Sequence, residues 1–332
     1  MSDNAVISTR VRLARNLKDF PFPCKLSKDG MEKVIEKVRS AVKNSNSSIA
    51  SDFKFIKMSD LTEAQSVSLV ERRIVSPEFI SNTEGRALLV NSDESLSIMI
   101  NEEDHIRIQA ITKGLALEQT YDLVDKLDTL LDESLDFAFS DKLGYLTQCP
   151  TNLGTGMRAS VMLHLPALEK SRAIGRIAGN LSKLGLTIRG THGEGTEPKG
   201  SLYQLSNQVT LGISEKAAIE NLKNITAQLI SQEELARERI CSNIDVQDSI
   251  SRSLGVLKYA RTITHDEALQ LLSNVRLGIV SGQLKNVPLH TIDKLMTDVE
   301  PATLMVTSGK NLSAAQRDVA RADLLRKTLE EM

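Results

Sequence analysis

Arginines recur in this chain beside glycine-rich turns and at strand-like spacings. Arg158 directly follows Cys149-Pro-Thr-Asn-Leu-Gly-Thr-Gly-Met157 and opens the apolar run Ala159-Ser-Val-Met-Leu-His-Leu165. Gly154 and Gly156 allow backbone to come close to a ligand, as phosphate-cradling loops require, and an arginine there suits planar, two-pronged contact with phosphate oxygens. Pro150 forces an extended or turn geometry on Cys149. Near the start, Ser8-Thr-Arg-Val-Arg-Leu-Ala-Arg15 alternates, so Arg10 and Arg12 share one face of an extended segment with Val11 and Leu13 on the other. A solvated edge strand would show the same alternation. Asn101-Glu-Glu-Asp-His-Ile-Arg-Ile108 gathers carboxylates where a strand ends, with Arg107 flanked by isoleucines; buried charges there need partners, although a surface acidic turn is the alternative. Arg189 precedes Gly190-Thr-His-Gly-Glu-Gly195, either a ligand loop or a glycine turn. Gly154-Thr-Gly156-Met-Arg-Ala159 also fits a dinucleotide fingerprint, but that motif needs a helix after the loop, and a strand-like run stands there.

The elements that must position these residues have their own signals. Met31, Val34, Ile35, Val38, Ala41 and Val42 make a helical stripe, and Leu123, Val124, Leu127, Leu130 and Leu131 make another. Phe53 and Phe55 predict a short strand, and Asp60 with Glu63 predicts a capping box. Arg86–Val90 and Leu96–Ile100 read as a hairpin around Asn91-Ser-Asp-Glu94. After Pro166 one helix is expected up to Gly185, then a brief strand at 186–189 and an alternating one at 202–213. Few crossover helices separate the strands, which predicts an antiparallel sheet. Strand signals stop near Ser231; Thr264 with Glu267, and Ser313 with Gln316, cap later helices.

Composition narrows the function. The 332 residues carry 41 Lys and Arg against 43 Asp and Glu, a net charge of −2, so no overall field draws nucleic acid or membrane. Only 3% of residues are aromatic and none is Trp, which disfavours base-stacking platforms. No signal peptide or long apolar run is visible, and three scattered cysteines make no disulfide framework or zinc spacing, so a cytoplasmic protein is expected.

Taken together, Ser8-Thr-Arg-Val-Arg12, Asn101-Glu-Glu-Asp-His-Ile-Arg107, Cys149 to Ser160 and Arg189-Gly-Thr-His-Gly-Glu194 resemble, in order, the motifs of the guanidino (phosphagen) kinases over roughly residues 5 to 215. The resemblance implies an α+β fold, an antiparallel sheet flanked by helices, in a catalytic domain over 1–230. A helical domain over 231–332 would serve phosphoarginine binding, regulation and oligomerisation. It implies transfer of the γ-phosphoryl of MgATP to a guanidinium, with Glu103 and Glu194 as the catalytic pair and Cys149 beside the acceptor. The implied ATP contacts are Ser8, Thr9, Arg10, Val11 and Arg12; Arg107; Arg158, Ala159, Ser160, Val161 and Met162; and Arg189, Gly190, Thr191, His192, Gly193 and Glu194. Mg2+ would ride on the nucleotide, with no metal ligand set of the protein's own.

Only seven residues precede Ser8, where small-molecule members carry a helical domain, so the open site implied would admit an arginine side chain of another protein. The C-terminal region is similar to that of the bacterial protein arginine kinases, in which an Arg317-Asp-Val-Ala-Arg-Ala322-like string binds phosphoarginine through Arg317, Asp318 and Arg321. Implied partners are stress-regulator or unfolded proteins marked for Clp-protease degradation, among them a heat-shock repressor of the CtsR type, with the activator McsA, a Clp ATPase and a homodimer or larger assembly. Neither direct nucleic-acid nor membrane contact is expected. The alternatives are a kinase for a free guanidino compound such as arginine and a non-catalytic phosphoarginine adaptor. One departure is Arg73, where relatives carry a histidine associated with nucleotide binding.

Overall fold

A computed structural model describes residues 4–45, 47, 52–190 and 198–330. Its centre is an eight-stranded sheet, antiparallel throughout, built from β1 (Val6–Arg15), β2 (Lys54–Lys57), β3 (Ala87–Val90), β4 (Leu96–Ile100), β5 (Ile106–Lys113), β8 (Met157–His164), β9 (Leu186–Gly190) and β10 (Leu202–Asn207). A separate two-stranded hairpin joins β6 (Phe139–Ser140) to β7 (Gly144–Tyr145). The strand order is β2-β3-β4-β5-β1-β8-β10-β9, so the first strand in sequence lies in the interior, between β5 and β8.

Alternation then gives the sheet two unlike faces. Val11, Leu13, Ile108, Ala110, Ala159, Val161 and Leu205 point to one side, fully or almost fully buried. They pack on α1 (Lys28–Asn44), α4 (Leu117–Asp132), α5 (Pro166–Lys170), α6 (Ile174–Lys183) and α7 (Glu215–Cys241). The α1 stripe is as periodicity predicts, Val34, Ile35, Val38, Ala41 and Val42 being buried. Each such aliphatic side chain stabilises by about 1.5–3 kcal/mol when fully buried. The opposite face carries the polar set described below.

That second face is walled at both margins. On one side α2 (Glu63–Glu71) and α3 (Pro77–Ile80) pack over Leu88, Val90 and Met99. On the other, a bundle of α8 (Ile244–Tyr259), α9 (His265–Val280), α10 (Leu289–Asp298), α11 (Pro301–Ser308) and α12 (Ala314–Glu330) joins its core to Met162 and Leu202 of the sheet. The bundle also reaches α2: Glu71 accepts from Ala302 N (2.9 Å) and Thr303 N (2.6 Å), capping α11 from the other domain.

Several boundaries differ from those predicted. The reciprocal cap of α2 is Thr62 with Gln65, because Asp60 is held in a preceding 3-10 turn. The helix expected from Pro166 is two helices, since Arg172 adopts φ 55° and breaks the ladder between them. The strand expected over 202–213 ends at Asn207. Position 230 falls inside the continuous α7, and the chain turns away only at the 242–243 junction before α8. Thr264 and Ser313 cap as expected, the latter with Gln316 reciprocating.

Candidate active site

The polar face forms the floor of a cavity of about 1120 Å³. Arg12 on β1 pairs directly with Arg158 on β8, and Arg10 lies two residues along β1 on the same face. Arg107 enters from β5, opposite Ala14, and Arg189 from β9, opposite Gln204 of β10. All five arginines line the one cavity, from four strands between 10 and 189 in sequence. Gln204 accepts from Arg10 Nη2 at 2.8 Å, while Arg189 Nε donates to Thr187 at 3.2 Å.

Burial first, then Arg73, Arg158 and Arg107, push the Arg10 guanidinium down to about 10. Arg12 is held well below its ordinary value by burial and by Arg10, Arg107 and Arg158, against the pull of Glu102. Arginine does not give up its proton in proteins, so these shifts describe a cationic track that favours a polyanion.

The acidic turn before β5 divides its labour. Glu102 is buried (side chain 2% exposed), accepts from Ser76 and grips Arg107 at 2.5 Å. Glu103, with a side chain 38% exposed, meets the other guanidinium arm at 3.1 Å and keeps a carboxylate face toward the cavity. Asp104 accepts from Asn16 (2.6 Å) and Gln148 N (2.8 Å), and burial raises its carboxyl despite those bonds. His105 accepts from Leu17 N and donates through Nε2 to Pro21 O; burial lowers its pKa and keeps it neutral. Asn101 takes φ 63° and holds Met31 O and Gly85 O. Asn101, Glu102, Glu103 and Arg107 of this motif line the cavity, whereas Asp104 and His105 build the turn beneath it.

Cys149 lines the same cavity, its Sγ 3.0 Å from Thr151 Oγ1. The glycines after it serve the fold: a Cβ at Gly154 (φ 107°) would collide with Thr210 O, and one at Gly156 (φ 62°) would come within 2.6 Å of Ala14 O. Arg15 clamps this loop, donating to Thr155 O, pairing with Asp128 of α4 at 2.7 Å and lying 3.4 Å over the Tyr145 ring. Strand β8 follows the loop, and the dinucleotide reading fails for want of a helix.

Alternation sorts the remaining candidates. Met162 lines the cavity, and Ser8 and Ser160 share its face by register. Thr9, Val11, Ala159 and Val161 turn their side chains to the other face: Thr9 anchors Gly114 O and Ala116 N, and the rest are in the core. Their side chains therefore cannot supply the expected ATP contacts, because successive side chains of a strand point to opposite faces, and a contact there would fall to their backbone groups. Gly190 lines the cavity, whereas Thr191, His192, Gly193 and Glu194 lie outside the described residues.

Sequence reasoning missed Gln109, whose amide donates to Arg73 O (3.0 Å) and Ile74 O (2.9 Å). It thereby fixes the left-handed Arg73 (φ 64°), a conformation costing about 1 kcal/mol or more for a side-chain-bearing residue. Arg73 itself lines the cavity, with burial lowering its pKa and Glu300 opposing. A buried Gln in a half-apolar strand was the available signal.

In the helical domain, Arg317 donates to Leu312 O at 2.9 Å. Arg321 is buried and donates to Val299 O, Ile263 O and Asp318. One oxygen of Asp318 is thus already engaged by Arg321, which points inward, where the carbonyls ending neighbouring segments need donors. No helix among the described residues is long and apolar enough to cross a membrane.

Residues 33–236 match the family described as ATP:guanido phosphotransferase, C-terminal catalytic domain, and residues 243–332 match the protein-arginine kinase McsB C-terminal domain. A protein-arginine kinase of Halothermothrix orenii is 47% identical over 326 residues, covering 98% of this chain and 93% of that protein. One from Caldanaerobacter subterraneus subsp. tengcongensis is 44% identical over 322 residues, covering 96% and 95%. Among solved structures, the duplicated taurocyamine kinase of Schistosoma mansoni, with bound transition state analog components, aligns at TM-score 0.62 and 33% identity over 69% of this chain and 33% of that one. Lombricine kinase aligns at TM-score 0.62 and 26% identity, over 70% and 67%. A cationic arginine floor with a carboxylate at its rim, on this sheet and with these relatives, has one family explanation: the chain belongs to the ATP:guanido phosphotransferases, in their protein-arginine kinase branch.

Proposed function

We propose that the chain moves the γ-phosphoryl of ATP onto the guanidinium of arginine side chains in proteins. The observation that carries this reading is the convergence of Arg10, Arg12, Arg107, Arg158 and Arg189 on one cavity with Glu103 and Cys149. Phosphoryl transfer depends mostly on positioning and charge stabilisation, and an arginine track suits both. Magnesium bound to the phosphates would add positive charge there, and the donors here are arginines, suited to the phosphate oxygens rather than to the ion.

At the rim, Glu103 would orient the acceptor guanidinium and take the proton it loses as the N–P bond forms and the bond from the γ-phosphorus to the bridging oxygen breaks. A protonated guanidinium nitrogen is a poor nucleophile and does not give up its proton unaided, which is why a carboxylate must receive it. Glu194 is proposed as the second carboxylate, and Cys149 as a contact of the acceptor. Relatives named protein-arginine kinases, matched over nearly their full length, support a protein acceptor over free arginine.

Incubation with γ-labelled ATP and an unfolded arginine-rich protein, beside free arginine, tests this. Acid-labile label on the protein is expected, because a phosphoramidate hydrolyses where a phosphoserine ester survives; label only on free arginine, or acid-stable label, would refute it.

Phosphoarginine binding at Arg317, Asp318 and Arg321 is proposed on the resemblance, with Arg317 as the arm that reaches the ligand. A cytoplasmic setting, an McsA-type activator, a Clp ATPase, a CtsR-type repressor and a homodimer belong to the same proposal, and co-purification with each candidate would check them.

A further inference from the structure

Acceptor carboxylate, arginines and helical domain follow one another along the strands, and that order assigns an end to each part of the nucleotide. On β1 the cavity-lining residues run from Ala14 through Arg12 and Arg10 to Ile7, past a bulge between Val6 and Ser8. Ala14 is the acceptor end: it lies opposite Arg107, the partner of Glu103, and bonds Gly156 O of the Cys149 loop. Ile7 is seven residues from Ala14, which at about 3.4 Å each is a distance of about 24 Å. A γ-phosphoryl must meet its acceptor at the Glu103 end, so the triphosphate lies over the arginines and the nucleoside falls at the far end.

The far end is built by the helical domain. There Met162 and Leu202 of the sheet face Leu269, Met296 and Thr297 of α9 and α10, with Glu300 beside them. These four apolar side chains are 2–5% exposed and belong to the core that joins the bundle to the sheet, so only their cavity-facing edges, with Thr297 and Glu300 beside them, offer a planar base and hydroxylated sugar an apolar wall with polar groups at its rim. One Glu300 oxygen lies 3.0 Å from His265 Nε2, which orients the carboxylate, and the backbone on either side is pinned: Arg321 donates to Val299 O at 2.9 Å, and Glu71 accepts from Ala302 N at 2.9 Å.

We propose that the C-terminal helical domain forms the nucleoside pocket of this kinase, Leu269 and Met296 packing against the base and Thr297 and Glu300 receiving the ribose hydroxyls. The inference rests on reading the cavity as the ATP site. It makes the helical domain part of the substrate-binding machinery and a determinant of nucleotide choice, and not an appendage of the catalytic domain.

Calorimetry on the full chain separates the two ideas, using ADP and inorganic tripolyphosphate, which lacks a nucleoside. Thr297→Trp, which fills the pocket, is expected to weaken ADP by about tenfold or more while leaving tripolyphosphate within about twofold. Glu300→Gln, a gentler change that keeps the side-chain shape, is expected to weaken ADP by about three- to tenfold with the same control unchanged. ADP affinity within about twofold of the unaltered chain in both variants would overturn the pocket, as would equal losses for ADP and tripolyphosphate. Failure of the unaltered chain to bind either probe would instead overturn the ATP-site reading, and this inference with it.

Discussion

At the scale of single residues, adjacent positions with the same chemistry hold different offices because burial separates them. Glu102 and Glu103 are neighbours that both line the cavity, yet Glu102 is buried against Arg107 and Ser76 while Glu103 keeps an exposed carboxylate. Replacing Glu103 by Gln removes the proton acceptor and keeps the shape. Phosphoryl transfer is expected to fall by about two orders of magnitude or more with ADP affinity nearly unchanged; a single-turnover assay beside calorimetry checks this, and retained turnover would remove Glu103 from the chemistry. Arg158→Lys keeps the charge and loses the planar fork. A drop of about a hundredfold in rate is expected, the usual cost of one preorganised donor, and equal rates would show that charge alone suffices.

At the scale of elements, buried charges join segments remote in sequence. Glu233 of α7 accepts from Ala167 N (3.0 Å) and Leu168 N (2.9 Å), capping α5. Burial, only partly offset by those bonds, pushes its carboxyl up to about 7 from an ordinary 4.5. The folded chain therefore holds a proton that the unfolded chain has released, and the stability from this group falls as pH rises through that window. The change amounts to about 3 kcal/mol. Glu233→Gln is expected to flatten it, read as the pH dependence of the stability difference between the two proteins in urea; parallel curves would refute it.

Arg321 is a comparable strut in the helical domain. Arg321→Ala leaves two carbonyls and Asp318 without their donor, at an expected cost of about 3–5 kcal/mol, whereas Arg317→Ala, losing one contact to Leu312 O, costs about 1 kcal/mol or less. Thermal unfolding of both variants checks the order. Arg317→Ala is thus the variant in which loss of phosphoarginine binding can be read free of unfolding.

At the scale of the whole molecule, the two domains meet through a buried polar seam as well as through Glu71. His164 Nε2 lies 2.8 Å from Ser273 Oγ, and Arg276 reaches His164 Nδ1 (3.3 Å), Asn4 O (2.8 Å) and Asp293 (2.7 Å). Burial, then Arg276 and Arg237, hold the His164 pKa well below its ordinary 6.5. The unfolded chain takes up a proton there first, so this contribution is complete above about pH 6.5 and is lost as pH falls through the depressed value. The protection factors of amides at the α9–β8 seam, measured against the intrinsic rate at each pH, are expected to fall on acidification while those of the central sheet hold. Seam protection independent of pH would show that His164 carries no such load.

What was legible in the sequence was local or periodic. Alternation in 8–15 put Arg10 and Arg12 on one face; the stripes of α1 and α4 marked the helices that bury the other; Thr264 and Ser313 announced their caps. Motif order sufficed for the family, because glycine loops, paired carboxylates and arginines at those spacings serve one chemistry. Tertiary structure alone decided which residues of each motif face the ligand. A strand has two sides, so Thr9 and Val161 belong to the core although they neighbour Arg10 and Ser160 in the chain. It also decided that Gly154 and Gly156 yield to Thr210 and Ala14, that Arg321 turns inward, and that α10 closes the far end of the cavity. Each of these depends on contacts between segments tens to hundreds of residues apart, where spacing along the chain carries no information about which backbone group or carboxylate will be waiting.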